Sequence, residues 1–173
     1  MALSCDRYCV INTFGRHNNL RHLWPENIMM RVFKFGGASV NSIERIQNLA
    51  GILASLNEPL LIVISAMGKT TNALEKVVEA FYQQQPEQAL ALFAQVKNQH
   101  LTTAKYLLVQ NYLACEAQLR DFFTEVEWLL HDKPVREFDY YYDQVVCCGE
   151  LLSTAIVSSK ESSPTATCAS KKR

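Results

Sequence analysis

Residues 31–50 read RVFKFGGASVNSIERIQNLA, and this stretch decides the fold. Its first five residues alternate polar and apolar side chains of types that favour β-strands. Two glycines follow, and then Asn41 and Glu44 stand three residues apart, as in the first turn of many helices. Apolar residues recur behind them at helical spacing. The stretch therefore predicts a strand, a glycine turn and a helix.

The same order of elements repeats downstream. Residues 60–64 are continuously aliphatic, which is typical of a strand buried on both faces of a parallel sheet. The run breaks at residues 65–68, and Asn72 and Glu75 repeat the capping spacing ahead of a second apolar helix. Two successive strand–turn–helix units indicate an α/β protein with a parallel sheet.

The remainder of the apolar pattern is helical. Residues 86–131 predict two helices packed as a hairpin, with a break near Asn111 or later. Residues 143–158 predict one more helix. Gly149 inside it costs about 1 kcal/mol relative to Ala, which indicates close approach by a ligand or a neighbouring segment.

These patterns divide the chain of 173 residues into three parts. Residues 30–158 form the predicted folded unit, a size that can bury one core. Residues 1–29 mix polarity without a clear period, so we expect a poorly ordered extension. Residues 159–173 are rich in Ser, Thr and Lys and hold no large aliphatic residue, which predicts a disordered tail.

Composition excludes several classes of function. Seventeen basic residues balance 17 acidic ones, so nucleic-acid binding through overall basicity is not expected. No apolar run approaches the ~20 residues that span a membrane. The first thirty residues carry charges and no apolar core of a signal peptide, so a cytoplasmic protein with reduced cysteines is the simplest interpretation. A zinc site at Cys5, Cys9, His17 and His22 is disfavoured by its spacing.

The first candidate site lies in the glycine turn. Lys34 precedes Gly36 and Gly37, and the turn opens onto a helix start. Glycines let backbone N–H groups approach an anion, and the helix start and the lysine add positive charge. The pattern predicts a phosphate cradle, and a plain turn with a surface lysine is an equal alternative.

Two further stretches could carry chemistry. Residues 65–72, SAMGKTTN, are not a P-loop because Val63 stands where that motif needs glycine. They predict a second strand-to-helix loop at the same sheet edge, where ligands collect, or an ordinary connection. Glu150 is a carboxylate in an apolar stretch, suited to a ligand ammonium, a structural ion pair or a solvated helix face.

Together, three blocks resemble the aspartate kinase family: residues 34–40, residues 63–72 and residues 149–154, in family order. The resemblance covers about residues 30–158. It implies the amino-acid kinase fold, a three-layer α/β/α sandwich with a mostly parallel sheet, of which this chain holds the N-terminal part. The family moves the ATP γ-phosphoryl group to the side-chain carboxylate of L-aspartate, the first step towards lysine, threonine, methionine and isoleucine.

The resemblance also implies roles for individual residues. Lys34, Phe35, Gly36 and Gly37 would line the ATP phosphates, with Lys34 as the catalytic cation, and Ser39, Thr71 and Glu150 would bind aspartate. Mg²⁺ is expected with ATP, although its ligands are not identifiable in this chain. The full-length family is homo-oligomeric.

Two departures from the family pattern affect what is expected of this chain. Ala38 replaces the more usual threonine, and the pattern stops after Ser158, before the family's further strands, adenine site and regulatory domains. We therefore expect a truncated kinase with little or no turnover. A non-catalytic interaction module, binding a partner through an open sheet edge, is the alternative.

Overall fold

The computed structural model describes residues 2–5, 8–11, 31–56 and 60–161. It contains four strands, which are β1 (Ala2–Cys5), β2 (Tyr8–Ile11), β3 (Arg31–Phe35) and β4 (Leu60–Ile64). It contains six α-helices, which are α1 (Ile43–Ala54), α2 (Thr70–Tyr82), α3 (Pro86–Leu107), α4 (Tyr112–His131), α5 (Phe138–Val146) and α6 (Cys148–Glu161). A short 3-10 turn, Gly37–Ser39, lies between β3 and α1.

The four strands form one sheet in the order β1-β2-β4-β3. Strand β4 pairs in parallel with β2 on one side and with β3 on the other, and β1 pairs antiparallel with β2. The predicted α/β class with a mostly parallel sheet is confirmed. Both predicted βα units are present, so the loops after β3 and β4 leave the sheet at the same edge.

One face of the sheet is buried more deeply than the other. On β4, Leu60, Ile62 and Ile64 are fully buried, whereas Leu61 and Val63 are half-buried. The sequence predicts burial of this strand on both faces. Among the described residues, one face is fully buried and the other is only half covered.

Residues 1–29, for which the sequence predicts a poorly ordered extension, contribute β1 and β2 to the sheet where the structure describes them. The physical reason is the second edge of β4, whose backbone groups need partners. Strand β2 supplies them in register from Tyr8, opposite Leu60, to Ile11, opposite Val63. Residues 6–7 and 12–30 lie outside the described part of the chain.

The helical part follows the predicted hairpin, with corrections after it. Helices α3 and α4 pack against each other around Phe93 and Phe123, whose rings meet edge to face at 6.1 Å. The single helix predicted over residues 143–158 is instead two helices that meet at Cys147. Helix α6 continues to Glu161, past the predicted boundary at residue 158, and residues 162–173 lie outside the described residues.

The predicted helix starts are displaced, by one residue for α1 and by three residues for α2. Ser42, not Asn41, caps α1, and its Oγ accepts a hydrogen bond from the backbone N–H of Arg45 at 3.4 Å. Helix α2 begins at Thr70, two residues before the predicted cap, and has no side-chain cap.

Of the described histidines, His100 is fully buried, in the helical layer. Its Nδ1 lies 2.8 Å from the carbonyl oxygen of Val96, and its Nε2 has no hydrogen-bond partner among the described residues. Burial lowers the pKa of His100 below its ordinary value of 6.5, and the bond to Val96 opposes this only in part. The folded chain therefore keeps this ring neutral.

We predict that stability falls as the pH drops below about 6.5, because the unfolded chain then binds a proton at this histidine that the folded chain excludes. Urea unfolding at about pH 7.5 and about pH 5.5 measures the loss. The wild type should lose more stability than His100→Gln. The control His131→Gln, at an exposed position, should lose as much as the wild type. An equal loss in His100→Gln would contradict the prediction.

Candidate active site

The loops that follow β3 and β4 touch through their backbones. The N–H of Gly68 donates to the carbonyl of Gly37 at 3.1 Å, and the N–H of Ser65 donates to the carbonyl of Phe35 at 3.0 Å. A Cβ atom at Gly37 would lie 2.5 Å from the carbonyl oxygen of Ala66, closer than real Cβ contacts come. Glycine at this position is thus required for the two loops to meet.

The second loop turns sharply into α2. Gly68 has a φ of +53°, a left-handed conformation that favours glycine. The N–H of Thr70 donates to the carbonyl of Met67 at 2.9 Å, and the side chain of Met67 is buried. These contacts place Thr71, which is half-buried, in the first turn of α2, directly after the loop that contacts Gly37.

The third block, at the start of α6, packs on this second loop. A Cβ atom at Gly149 would lie 3.1 Å from side-chain carbons of Ala66, Thr70 and Leu74. The expectation that something approaches Gly149 closely is confirmed, and the neighbour is the β4–α2 segment. The hydroxyl of Ser153 donates to the carbonyl of Ser65 at 2.9 Å, the shortest of the three carbonyl contacts that it makes.

The predicted phosphate residues lie along the end of β3 and the 3-10 turn. Lys34 is exposed, pairs in register with Val63, and lies on the sheet face opposite Phe33 and Phe35. Phe35 ends the strand and stacks with Phe33 at 6.3 Å. Gly36 is exposed, and no atom lies within 4 Å of where its Cβ would be.

The predicted aspartate residues come from all three blocks. Ser39 ends the 3-10 turn, is half-buried, and donates its backbone N–H to the carbonyl of Gly36 at 2.8 Å. Glu150 lies in the first turn of α6 and is half-buried. The blocks that carry Ser39, Thr71 and Glu150 are therefore joined by the Gly37–Gly68 and Ser65–Ser153 bonds.

The two thiols beside Glu150 are held in their protonated form. Cys147 and Cys148 are both free. Burial raises the pKa of both thiols, most strongly at Cys148, so both stay protonated and are poor nucleophiles. Within the part of the chain that the structure describes, no three His, Cys, Asp or Glu side chains group in a way that could hold a metal ion.

Sequence reasoning missed the small polar residues that hold the blocks together. Ser153 is buried, and its position four residues after Gly149, on the same helix face, was the signal that could have identified it. Thr70 and Thr154 are each 2% exposed, and their hydroxyl oxygens have no hydrogen-bond partner among the described residues.

Comparison with known proteins agrees with the fold and with the three blocks. The sequence model of the Amino acid kinase family matches residues 29–166. The chain therefore belongs to the amino acid kinase family. Among the described residues, no helix is long and apolar enough to cross a membrane.

The relatives are aspartokinases, which confirms the resemblance that the sequence blocks predict. The chain is 33% identical over 138 residues to bifunctional aspartokinase/homoserine dehydrogenase 1 of Zea mays, covering 78% of this chain and 15% of that protein. It is 34% identical over 134 residues to aspartokinase 2 of Arabidopsis thaliana, covering 73% of this chain and 23% of that protein. Both relatives are described as chloroplastic.

A solved structure shows the same fold. Aspartokinase III of E. coli, in complex with lysine and aspartate, aligns with a TM-score of 0.64 and 22% identity, over 74% of this chain and 28% of that chain. The chain thus spans between 15% and 28% of the length of these three proteins.

We predict that Gly37→Ala destabilises the chain by about 1–3 kcal/mol, because its Cβ must displace the Ala66 carbonyl and separate the loops. Gly36→Ala is the matched control, since its Cβ meets open space and its φ of −75° suits alanine. Urea unfolding of both variants is the measurement. Equal stability of the two variants would show that the loops are not held by this contact.

Proposed function

We propose that this chain carries the phosphate-binding and aspartate-binding loops of an aspartate kinase. The reaction is transfer of the ATP γ-phosphoryl group to the side-chain carboxylate of L-aspartate, giving 4-phospho-L-aspartate, at the start of lysine, threonine, methionine and isoleucine synthesis. The observation that carries the proposal is the contact of the three blocks through Gly37, Gly68 and Ser153. The kinship with aspartokinases of maize and Arabidopsis supports it.

The first loop suits the phosphates of ATP. Gly36 is exposed and its side-chain space is open, so a phosphate oxygen can approach the backbone there. Lys34 is an exposed cation on the strand that leads into this turn, and Phe35 and Gly37 complete the lining. We propose that Lys34 compensates the charge of the transferring group. Mg²⁺ would arrive with the ATP phosphates, where it neutralises further charge.

The second and third blocks suit a small dicarboxylic amino acid. A half-buried carboxylate at Glu150 can bind the ammonium group of the substrate. Ser39 and Thr71 each offer a hydroxyl at a half-buried position, and their loops are joined by the Gly37–Gly68 bond. We propose that these two hydroxyls donate to the carboxylates of the substrate.

The chemistry needs few groups beyond these. The attacking oxygen belongs to a carboxylate, which is ionised at neutral pH, so no general base has to remove a proton. The chain's own residues have to hold the nucleophile in line with the γ-phosphorus and to compensate negative charge. Turnover by this chain alone is proposed to be low or absent, because in its relatives the matching segment is a small share of the polypeptide. We propose the cytoplasm as its compartment and a homo-oligomer for the full-length kinase.

An interaction module is the second candidate, and one observation favours it. Val32 on the edge strand β3 is 60% exposed, and Leu61 and Val63 on the same face are half-buried. An apolar face beside a strand edge is a surface that can pair with another chain.

We predict that Lys34→Ala weakens MgATP binding by about tenfold or more, because it removes a cation from the phosphates. Glu150→Gln should weaken L-aspartate binding by a similar factor and leave MgATP binding unchanged. Calorimetric titration of the 173-residue chain measures both, and a hydroxamate assay for the acyl phosphate measures turnover.

Lys76→Ala and Glu79→Gln are matched controls, since both residues are exposed on α2 away from its first turn. They should bind both ligands as the wild type does. Wild-type binding of both ligands by Lys34→Ala and Glu150→Gln would overturn the proposal. Partner capture that is insensitive to these substitutions, without ligand binding, would favour the interaction module.

A further inference from the structure

A cleft lies far from the candidate active site, where α4 turns into α5. It has a volume of about 400 Å³, within the range of about 300–1,000 Å³ usual for small-molecule sites. Its lining combines charged, aromatic and aliphatic side chains, namely Leu129, Asp132, Lys133, Val135, Arg136, Tyr140 and Tyr141. No role proposed above uses these residues.

The loop that forms one wall of this cleft is held in place by a buried tyrosine. The hydroxyl oxygen of Tyr141 accepts hydrogen bonds from the backbone N–H groups of Val135, at 2.8 Å, and Arg136, at 3.1 Å. Tyr141 is 5% exposed, and its ring packs edge to face on Phe81 of α2 at 5.1 Å. The wall is therefore preformed, which lowers the entropy lost when a ligand binds.

The guanidinium group of Arg136 is held against an aromatic ring, and its edge stays available to a ligand. It lies over the ring of Tyr140, 4.5 Å from the centroid. Stacking engages the flat face of a guanidinium and leaves the N–H groups along its edge free to bind a carboxylate. Among the described residues, no ion pair engages Arg136, Lys133 or Asp132.

The charges of the lining select the ligand. Lys133 and Arg136 supply two cations against the single carboxylate of Asp132, so the lining carries an excess of positive charge. Leu129, Val135 and the tyrosine rings supply apolar surface, and Val135 is 83% exposed. A ligand with a negative end and a flat apolar body satisfies both parts of the cleft.

We propose that this cleft binds a small aromatic carboxylate. Its carboxylate accepts hydrogen bonds from the exposed edge of Arg136, with the ammonium group of Lys133 nearby. Its ring lies against Leu129 and Val135.

The cleft is separate from the proposed kinase site. Helix α5 packs on the last turn of α2, through Phe81 and Tyr82, whereas the kinase blocks meet at the first turn of α2. A helix of 13 residues is about 20 Å long, so the two sites lie at opposite ends of α2. Ligands of one site should not compete with ligands of the other.

Titration of the 173-residue chain with phenylacetate, followed by calorimetry, tests the proposal. Phenylacetamide keeps the ring and loses the charge, and acetate keeps the charge and loses the ring. Phenylacetate should bind at least about tenfold more tightly than either. Saturating MgATP and L-aspartate should leave this binding unchanged.

Arg136→Gln should weaken phenylacetate binding by about tenfold, because a neutral amide replaces the guanidinium. Arg136→Lys should recover part of the loss, since the charge returns without the planar edge. Arg45→Gln, at an exposed arginine of α1, should bind as the wild type does. Circular dichroism checks that each variant is folded. Equal binding of phenylacetamide, wild-type binding by Arg136→Gln, or no binding at about 10 mM phenylacetate would each overturn the proposal.

Discussion

The hydrogen bond from the N–H of Gly68 to the carbonyl of Gly37 joins two loops that the parallel pairing of β3 and β4 brings to one edge of the sheet. This bond can form only because Gly37 has no side chain. A Cβ atom there would lie 2.5 Å from the carbonyl oxygen of Ala66 and would push the two loops apart. The backbones of the two loops are thus in direct contact. The proposed phosphate loop and the proposed substrate loop share one fixed geometry as a result.

The third block reaches this junction from much later in the chain. Ser153 is 88 residues from Ser65, yet its hydroxyl donates to the Ser65 carbonyl. The intervening hairpin of α3 and α4 makes this possible, because α6 packs along α4 with Leu152 and Ile156 buried in the core. A substitution that leaves a large cavity in the hairpin would therefore disturb the loops, since the position of Glu150 depends on how α6 packs.

The sequence predicts those features of the fold that each segment encodes by itself, and it misses those that depend on packing between segments. The two βα units and the hairpin follow from apolar periodicity, which each segment carries by itself. The displaced caps arise because Asn41 and Ser42 are both good capping residues, and only the packing of α1 selects between them. The break at Cys147 is hidden because apolar residues continue on both sides of it. Strand β2 owes its place to the free edge of β4, a tertiary property that four residues of its own cannot reveal.

The two faces of the sheet connect the fold to the proposed chemistry. Leu61 and Val63 keep the aliphatic character of a strand that is buried on both sides, although the described residues cover one side. Lys34 lies on the less covered face, in register with Val63 and two residues from the exposed Val32. Any segment that packs on Val32 and Val63 would therefore also shield Lys34 from water. An ionic contact strengthens when water is excluded, so covering this face would strengthen the bond between Lys34 and a phosphate.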